Sequence, residues 1–151
     1  MISTKGRYAI RFMIDLSTQP QGTPVPLEEI AARQQISKKY LETVVNLLVK
    51  AGIVRGASGK GGGYRLLRKP SECTVGEILM ITEGTLAAVS CLHCNAEPCP
   101  REKGCKTLPM WKKFDALVHD FFYSITIEDL VTGNIDPVST AALTVSEAES
   151  L

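Results

Sequence analysis

The chain has 151 residues, 44% hydrophobic and 22% charged, the proportions of a folded globular protein and not of a disordered one. No apolar run approaches the ~18 residues of a membrane-spanning helix, and Met1–Tyr8 lacks the apolar core of a secretory signal, so the expected location is the cytoplasm, with no membrane partner. The net charge of +1 is an average over opposites: through Pro70 twelve bases face four acids, whereas from Ser71 onward five bases face twelve acids. A first half of net charge +8 followed by a second of −7 points to a polyanionic partner for the first.

Ala9, Ile10, Phe12, Met13 and Leu16 recur at three- and four-residue spacing, which predicts an amphipathic helix from about Lys5 to Ser17 that carries Arg7 and Arg11. The loop Gln19–Pro24 separates it from a short helix opening near Pro26, with Glu28 and Glu29 in its first turn and Leu27, Ile30 and Ala31 facing inward. After the turn Gln34–Ser37, Ser37 suits the N-cap of a third helix that buries Leu41, Val44, Val45 and Leu48, runs to about Ala51 and stops at Gly52. Its outer face displays Lys38, Lys39, Tyr40, Glu42, Thr43, Asn46 and Lys50. Two short helices around a tight turn, the second with a polar face, form the helix-turn-helix pattern.

Two strand-like runs, Ile53–Arg55 and Tyr64–Arg68, flank the glycine-rich, cationic segment Gly56–Gly63 and read as a β-hairpin wing. A phosphate-cradling nucleotide loop is excluded, because the Walker Lys-Ser/Thr ending is absent and no helix follows. Thr74-Val75-Gly76-Glu77 has the form of a capping box and opens a helix through Ile78, Leu79 and Ile81. Residues Ala88–Lys106 have no helical period. Pro109 then suits the start of a long helix whose Trp111, Phe114, Leu117, Val118, Phe121 and Phe122 share one face. That stripe is wider than a small domain buries alone, which predicts a homodimer. A short capped helix follows from Thr126, and Pro137–Leu151 is a small, polar, acidic tail expected to fray. The expected fold is mainly α with a small β-hairpin wing. It comprises a winged helix-turn-helix over 1–70, a cysteine loop (88–106) and dimerisation helices over 71–136, and a tail over 137–151.

Four of the five cysteines fall within one short segment, Cys91, Cys94, Cys99 and Cys105. Clustered thiols in a cytoplasmic chain indicate metal or redox chemistry before structural disulfides, and soft thiolates select zinc, copper(I) or iron–sulfur clusters. Spacing alone does not choose among them. A structural zinc site more often shows two separated Cys-x2-Cys pairs, and one such pair occurs here. Cys73, just before a helix, reads as a buried small hydrophobe, and His93 as an exposed loop residue.

Ser3-Thr4-Lys5-Gly6-Arg7-Tyr8-Ala9, Val25-Pro26-Leu27, Ile36–Glu42, Lys50–Val54, Gly61-Gly62-Gly63-Tyr64, Val75-Gly76-Glu77-Ile78 and Ile125–Leu130 together resemble the winged-helix regulator family that includes IscR, NsrR and RirA. The likeness runs from about Ile2 to Asn134. It implies a homodimeric transcription factor, often a repressor, whose affinity for double-stranded DNA depends on an iron–sulfur cluster. The family's three cluster cysteines fall onto Cys91, Cys99 and Cys105. Where some members supply a histidine or an N-terminal aspartate as the fourth ligand, this chain has Leu108 and, in the N-terminal region, Tyr8. Cys94 is the further thiolate in reach, with Glu97, Glu102 and His93 as other donors, and four sulfurs favour a 4Fe–4S over a 2Fe–2S cluster. A clusterless thiol-redox regulator and a zinc-stabilised one are the alternatives on the same fold, and nothing in the sequence supports an enzyme.

The third helix is expected in the major groove of a near-palindromic operator, with Ser37, Lys38, Lys39, Tyr40, Thr43 and Asn46 on phosphates and base edges and Arg7 nearby. Glu42 is unfavourable beside DNA unless it accepts from a cytosine amine, which makes it a filter against wrong sites. Ser58 and Lys60 on the wing are expected to follow the backbone or the minor groove. A family arginine at the wing falls on Ser58, leaving Lys60 as the positive charge, with a less planar set of donors.

Overall fold

A computed structural model describes residues 2–93 and 95–135. Cys94 and the expected tail over 137–151 lie outside the described residues. Among those described, six α-helices and one hairpin follow in the order α1 (Thr4–Ser17), α2 (Leu27–Gln34), α3 (Lys38–Lys50), β1 (Val54–Ala57), β2 (Gly63–Leu66), α4 (Val75–Glu83), α5 (Leu108–Ser124) and α6 (Ile127–Thr132). The mainly helical fold with a two-stranded wing is the one the periodicity predicts.

Local chemistry sets most of the boundaries. Ser3, in extended conformation, accepts a hydrogen bond from the Lys5 N–H and starts α1. Pro26 has a helix-compatible φ of −59° and leads into α2, which ends on Gln35 in the left-handed conformation (φ 54°, ψ 44°). The Ser37 hydroxyl accepts from the Tyr40 N–H at 3.3 Å and caps α3. Gly52, at φ 73°, breaks off that helix as expected.

The wing is displaced from its expected bounds. Its ladder extends into the glycine segment, pairing Ala57 with Gly63 and Gly56 with Tyr64, and ends with Val54 opposite Leu66. Val25 pairs with the outer edge of Tyr64 through N–H···O bonds of 2.9 and 2.8 Å, so the hairpin is fastened to the segment before α2.

The core is continuous across Pro70. Ala9, Phe12 and Met13 of α1 are fully buried with Ile30, Leu41, Val44, Val45 and Leu48, and Cys73, Ile78 and Ile127 from the second half join the same cluster. Asp15 is 4% exposed and accepts from Arg33 at 2.7 and 3.1 Å and from Gln34 at 2.9 Å, which locks α1 to α2. Burial of a carboxylate without such partners would be strongly unfavourable.

The capping box expected at Thr74 closes only halfway. Its hydroxyl accepts from the Glu77 N–H at 3.2 Å, but the Glu77 carboxylate accepts from Arg68 at 2.6 Å. At α6 both halves form: the Thr126 hydroxyl accepts from the Asp129 N–H at 3.1 Å, and the Asp129 carboxylate accepts from the Thr126 N–H at 2.8 Å.

The 17-residue α5 has no buried residue. Trp111, Val118 and Phe122 are half-buried, whereas Phe114, Leu117 and Phe121 are 39–47% exposed. α5 packs on α4, where the Tyr123 ring covers Gly76 so closely that a Cβ there would overlap it. Gly76→Ala should therefore destabilise the fold by about 1–3 kcal/mol through overpacking, measured by urea unfolding. Adding Tyr123→Ala should recover part of the loss, because the two positions share the contact.

Candidate nucleic-acid interface and cysteine loop

Every residue assigned by sequence to DNA is on the surface: Arg7 of α1, Ser37, Lys38, Lys39, Tyr40, Glu42, Thr43 and Asn46 at α3, and Ser58 and Lys60 between β1 and β2. The inner face of α3 is held by fully buried Leu41, Val44, Val45 and Leu48, so the polar face is fixed by the core and not by its own contacts. Tyr40 meets Tyr8 of α1 edge to face at 5.5 Å, and the Arg11 guanidinium lies 5.5 Å from the centre of the Tyr8 ring. Arg11 in turn donates to the Gln34 side chain at 3.2 Å and to the Gln34 carbonyl. Tyr8 thus sets the position of an aromatic side chain on the recognition face, a role no one-dimensional pattern indicates.

Two further cations stand on the wing. Arg55 lies directly opposite Arg65 across the β1–β2 ladder, and like charges so placed are unfavourable in isolation and favourable beside a polyanion. Strand alternation in the sequence is the signal that would have found them. Lys38 is not free: its ammonium donates to Glu28 of α2.

The loop between α4 and α5 folds into two single 3-10 turns, Ser90–Leu92 and Glu102–Gly104, where no helical period was expected. Cys91, Cys99 and Cys105 line one cavity of about 250 Å³ together with Glu97, Glu102 and Lys112. Cys91 is exposed and the other two are half-buried. His93 opens on the same cavity and is exposed, as expected. Leu108 also lines it and brings no side-chain donor atom. The Cys105 sulfur lies 3.4 Å from the Thr107 hydroxyl, whose hydrogen bond holds the thiol below its ordinary value.

Three thiols on one surface cavity suit a thiophilic metal centre in chemistry and in room. Among the described residues, no group of three or more His, Cys, Asp or Glu side chains is already gathered to hold a metal ion. Cys94, the proposed fourth sulfur, lies outside the described residues. Cys73 is fully buried, and its burial pushes the thiol up.

The Rrf2 family profile, described as that of an iron-dependent transcriptional regulator, matches residues 2–133. The chain belongs to the Rrf2 family of transcriptional regulators. This Rrf2 chain is 37% identical over 133 residues to the HTH-type transcriptional regulator IscR of Aliivibrio salmonicida, covering 88% of the chain and 78% of that relative. Its fold is similar to that of CymR (YrzC), the global cysteine regulator of B. subtilis, with a TM-score of 0.71 and 35% identity over 88% of this chain and 97% of that one. It is equally similar to T. potens IscR, with a TM-score of 0.71 and 30% identity over 98% and 93% of the two chains. The winged-helix fold and the family resemblance read from the sequence are thereby established, and no helix of the described residues is long and apolar enough to cross a membrane.

Burial separates the thiols of this Rrf2 chain into two classes. In the reduced, metal-free protein Cys91 should react with iodoacetamide at neutral pH, while Cys73 stays unmodified until urea unfolds the core. Peptide mass spectrometry reads both, and equal labelling of Cys73 and Cys91 in the native protein would contradict the burial described.

Proposed function

We propose that this chain is a homodimeric, cytoplasmic DNA-binding repressor whose affinity for its operator is set by an iron–sulfur cluster in the cysteine loop. The observation that carries the reading is that Cys91, Cys99 and Cys105 line one cavity in an Rrf2 chain. These three thiolates would hold the cluster, with Cys94 as the fourth ligand and a 4Fe–4S centre favoured. When bound, the cluster supplies a redox-labile crosslink within the loop. The chain itself divides the work: 1–70 contacts DNA, and 71–136 senses and dimerises.

The recognition face of α3 enters the major groove, with Lys39, Thr43, Asn46 and Tyr40 on phosphates and base edges and Glu42 rejecting sites that offer it no donor. Lys60 and Ser58 follow the adjacent backbone. Two-fold symmetry places the half-sites about one helical turn apart. Loop ordering next to the root of α5 biases the separation of the two recognition helices, and it shifts DNA affinity only by as much as the two states differ in affinity for the cluster.

Anaerobic reconstitution with iron and sulfide should give a visible chromophore with matching iron and sulfide content, and Cys99→Ala should abolish it. Operator affinity should differ between loaded and metal-free protein by roughly 5- to 150-fold, the usual span of allosteric coupling. Binding indifferent both to cluster removal and to Cys99→Ala would end the reading. A clusterless thiol switch is the second reading, favoured by the Cys105–Thr107 contact and by the likeness to a cysteine regulator. It requires a reversible disulfide among Cys91, Cys94, Cys99 and Cys105, which non-reducing peptide mapping detects.

The uncovered Phe114, Leu117 and Phe121 support the second copy as the partner of α5. Phe121→Lys should convert the dimer to a monomer by light scattering while leaving the monomer core intact, since this side chain is exposed. A Phe121→Lys protein that remains dimeric would place the interface elsewhere.

A further inference from the structure

Glu28 lies in the first turn of α2 and Lys38 opens α3, and the helix-turn-helix angle brings the two side chains together across ten residues of sequence. The Lys38 Nζ donates to Glu28 Oε1 at 2.5 Å. Their side chains are 48% and 74% exposed, so the pair adds little to folding. Each holds the other charged: the Lys38 hydrogen bond and charge keep the Glu28 carboxyl below its ordinary range, and Glu28 raises Lys38 in return.

The two also line a cleft of about 470 Å³ between the start of α2 and the wing, with Ser58, Gly62 and Tyr64 on its other side. A DNA strand that touches both the recognition helix and the wing passes over this cleft. Lys39 and Lys60 form no ion pair among the described residues, so Lys38 alone among the candidate lysines is already bound to a carboxylate. Its one visible partner is an anionic oxygen, the same kind of acceptor that a phosphate offers.

We propose that Glu28 is an intramolecular stand-in for a DNA phosphate, which holds Lys38 in the free protein and is displaced by the nucleic-acid backbone on binding. This rests on the DNA-binding reading above and adds a positioning residue to it. Lys38 gains a phosphate only by giving up Glu28, and the freed carboxylate is left close to the strand. Glu28 therefore lowers affinity for every sequence alike and reduces the number of counterions released, without touching a base.

The test needs no operator, because the phosphate contribution is independent of sequence: fluorescence anisotropy with a mixed-sequence duplex over a salt series suffices. Glu28→Gln should tighten binding roughly two- to fivefold at about 0.1 M salt, in line with an exposed ion pair. It should also steepen the slope of log affinity against log salt by up to about one unit. In a Lys38→Gln background the same substitution should give no gain. Glu29→Gln, which removes an equal charge from the same helical turn but is paired with Arg33, should give a smaller gain than Glu28→Gln. No gain from Glu28→Gln, or an equal gain with and without Lys38, would overturn the inference while leaving the DNA-binding reading in place. An unsubstituted protein that fails to bind the duplex at low salt would overturn the reading itself and the inference with it.

Discussion

Beyond the shared core, one carboxylate of the second half ties down the first helix of the chain. Glu83 Oε1 accepts from the Ser3 N–H at 3.2 Å, the Ser3 hydroxyl at 2.7 Å and the Gly6 N–H at 3.1 Å, and so caps the start of α1 from a position some eighty residues later in the chain. A carboxylate satisfies the free donors at a helix N-terminus and is favoured there by the helix dipole. The approach requires Gly6, since a Cβ at that position would overlap the Glu83 carboxylate. Glu83 is also the last residue of α4, directly before the segment that carries the cysteines. The end of α4, which leads into the cysteine loop, and the start of α1 are therefore one hydrogen-bonded unit.

From that point α1 reaches both helices of the candidate helix-turn-helix. Its middle supplies Phe12 and Met13 to the core against which α3 is seated. Its outer side carries Tyr8 against Tyr40, and its end holds α2 through Asp15, Arg33 and Gln34. Close-packed interiors do not deform continuously, so a change at the end of α4 is passed on as a rigid shift of α1 or not at all. The geometry provides a contiguous path. Were the loop to take up the proposed cluster, the size of any effect would depend on how differently the two states bind it.

Features that depend on neighbours in sequence were legible there. Ser37 as the cap of α3, Gly52 as its end and Thr126 as the cap of α6 all follow from residue type and spacing, and each is found. Features set by residues far apart were not. Thr74 and Glu77 have the form of a capping box, but Arg68 arrives from the wing and takes the carboxylate. The wing register depends on which glycines accept a facing strand, and the pattern placed it too far toward both flanks. At the candidate site the sequence identified the exposed face of α3 because burial of the opposite face is periodic. It could not show that Tyr8 steadies Tyr40 or that Glu28 holds Lys38, since both depend on the angle between helices. The cysteines announced themselves by clustering, whereas the placing of Cys91, Cys99 and Cys105 along one cavity required the fold of the loop.

The charge division also changes meaning once partners are assigned. Of the four acids before Ser71, Asp15 and Glu29 are paired with Arg33 and Glu28 with Lys38, leaving Glu42 without an ion pair among the described residues. Arg68 is likewise neutralised by Glu77 from the acidic half. Nine bases remain without an ion pair among the described residues: Lys5, Arg7 and Arg11 on α1, Lys39 and Lys50 on α3, Arg55, Lys60 and Arg65 on the wing, and Lys69 just after it. The +8 thus survives internal pairing as nine cations against one carboxylate, and eight of the nine lie on α1, α3 and the wing, the elements expected to face DNA. Since nonspecific attraction follows the number of phosphates neutralised, internal pairing limits it. Under the proposed reading, Glu42 is then the lone unpaired carboxylate on the exposed face of α3, unfavourable beside DNA unless a base offers it a donor.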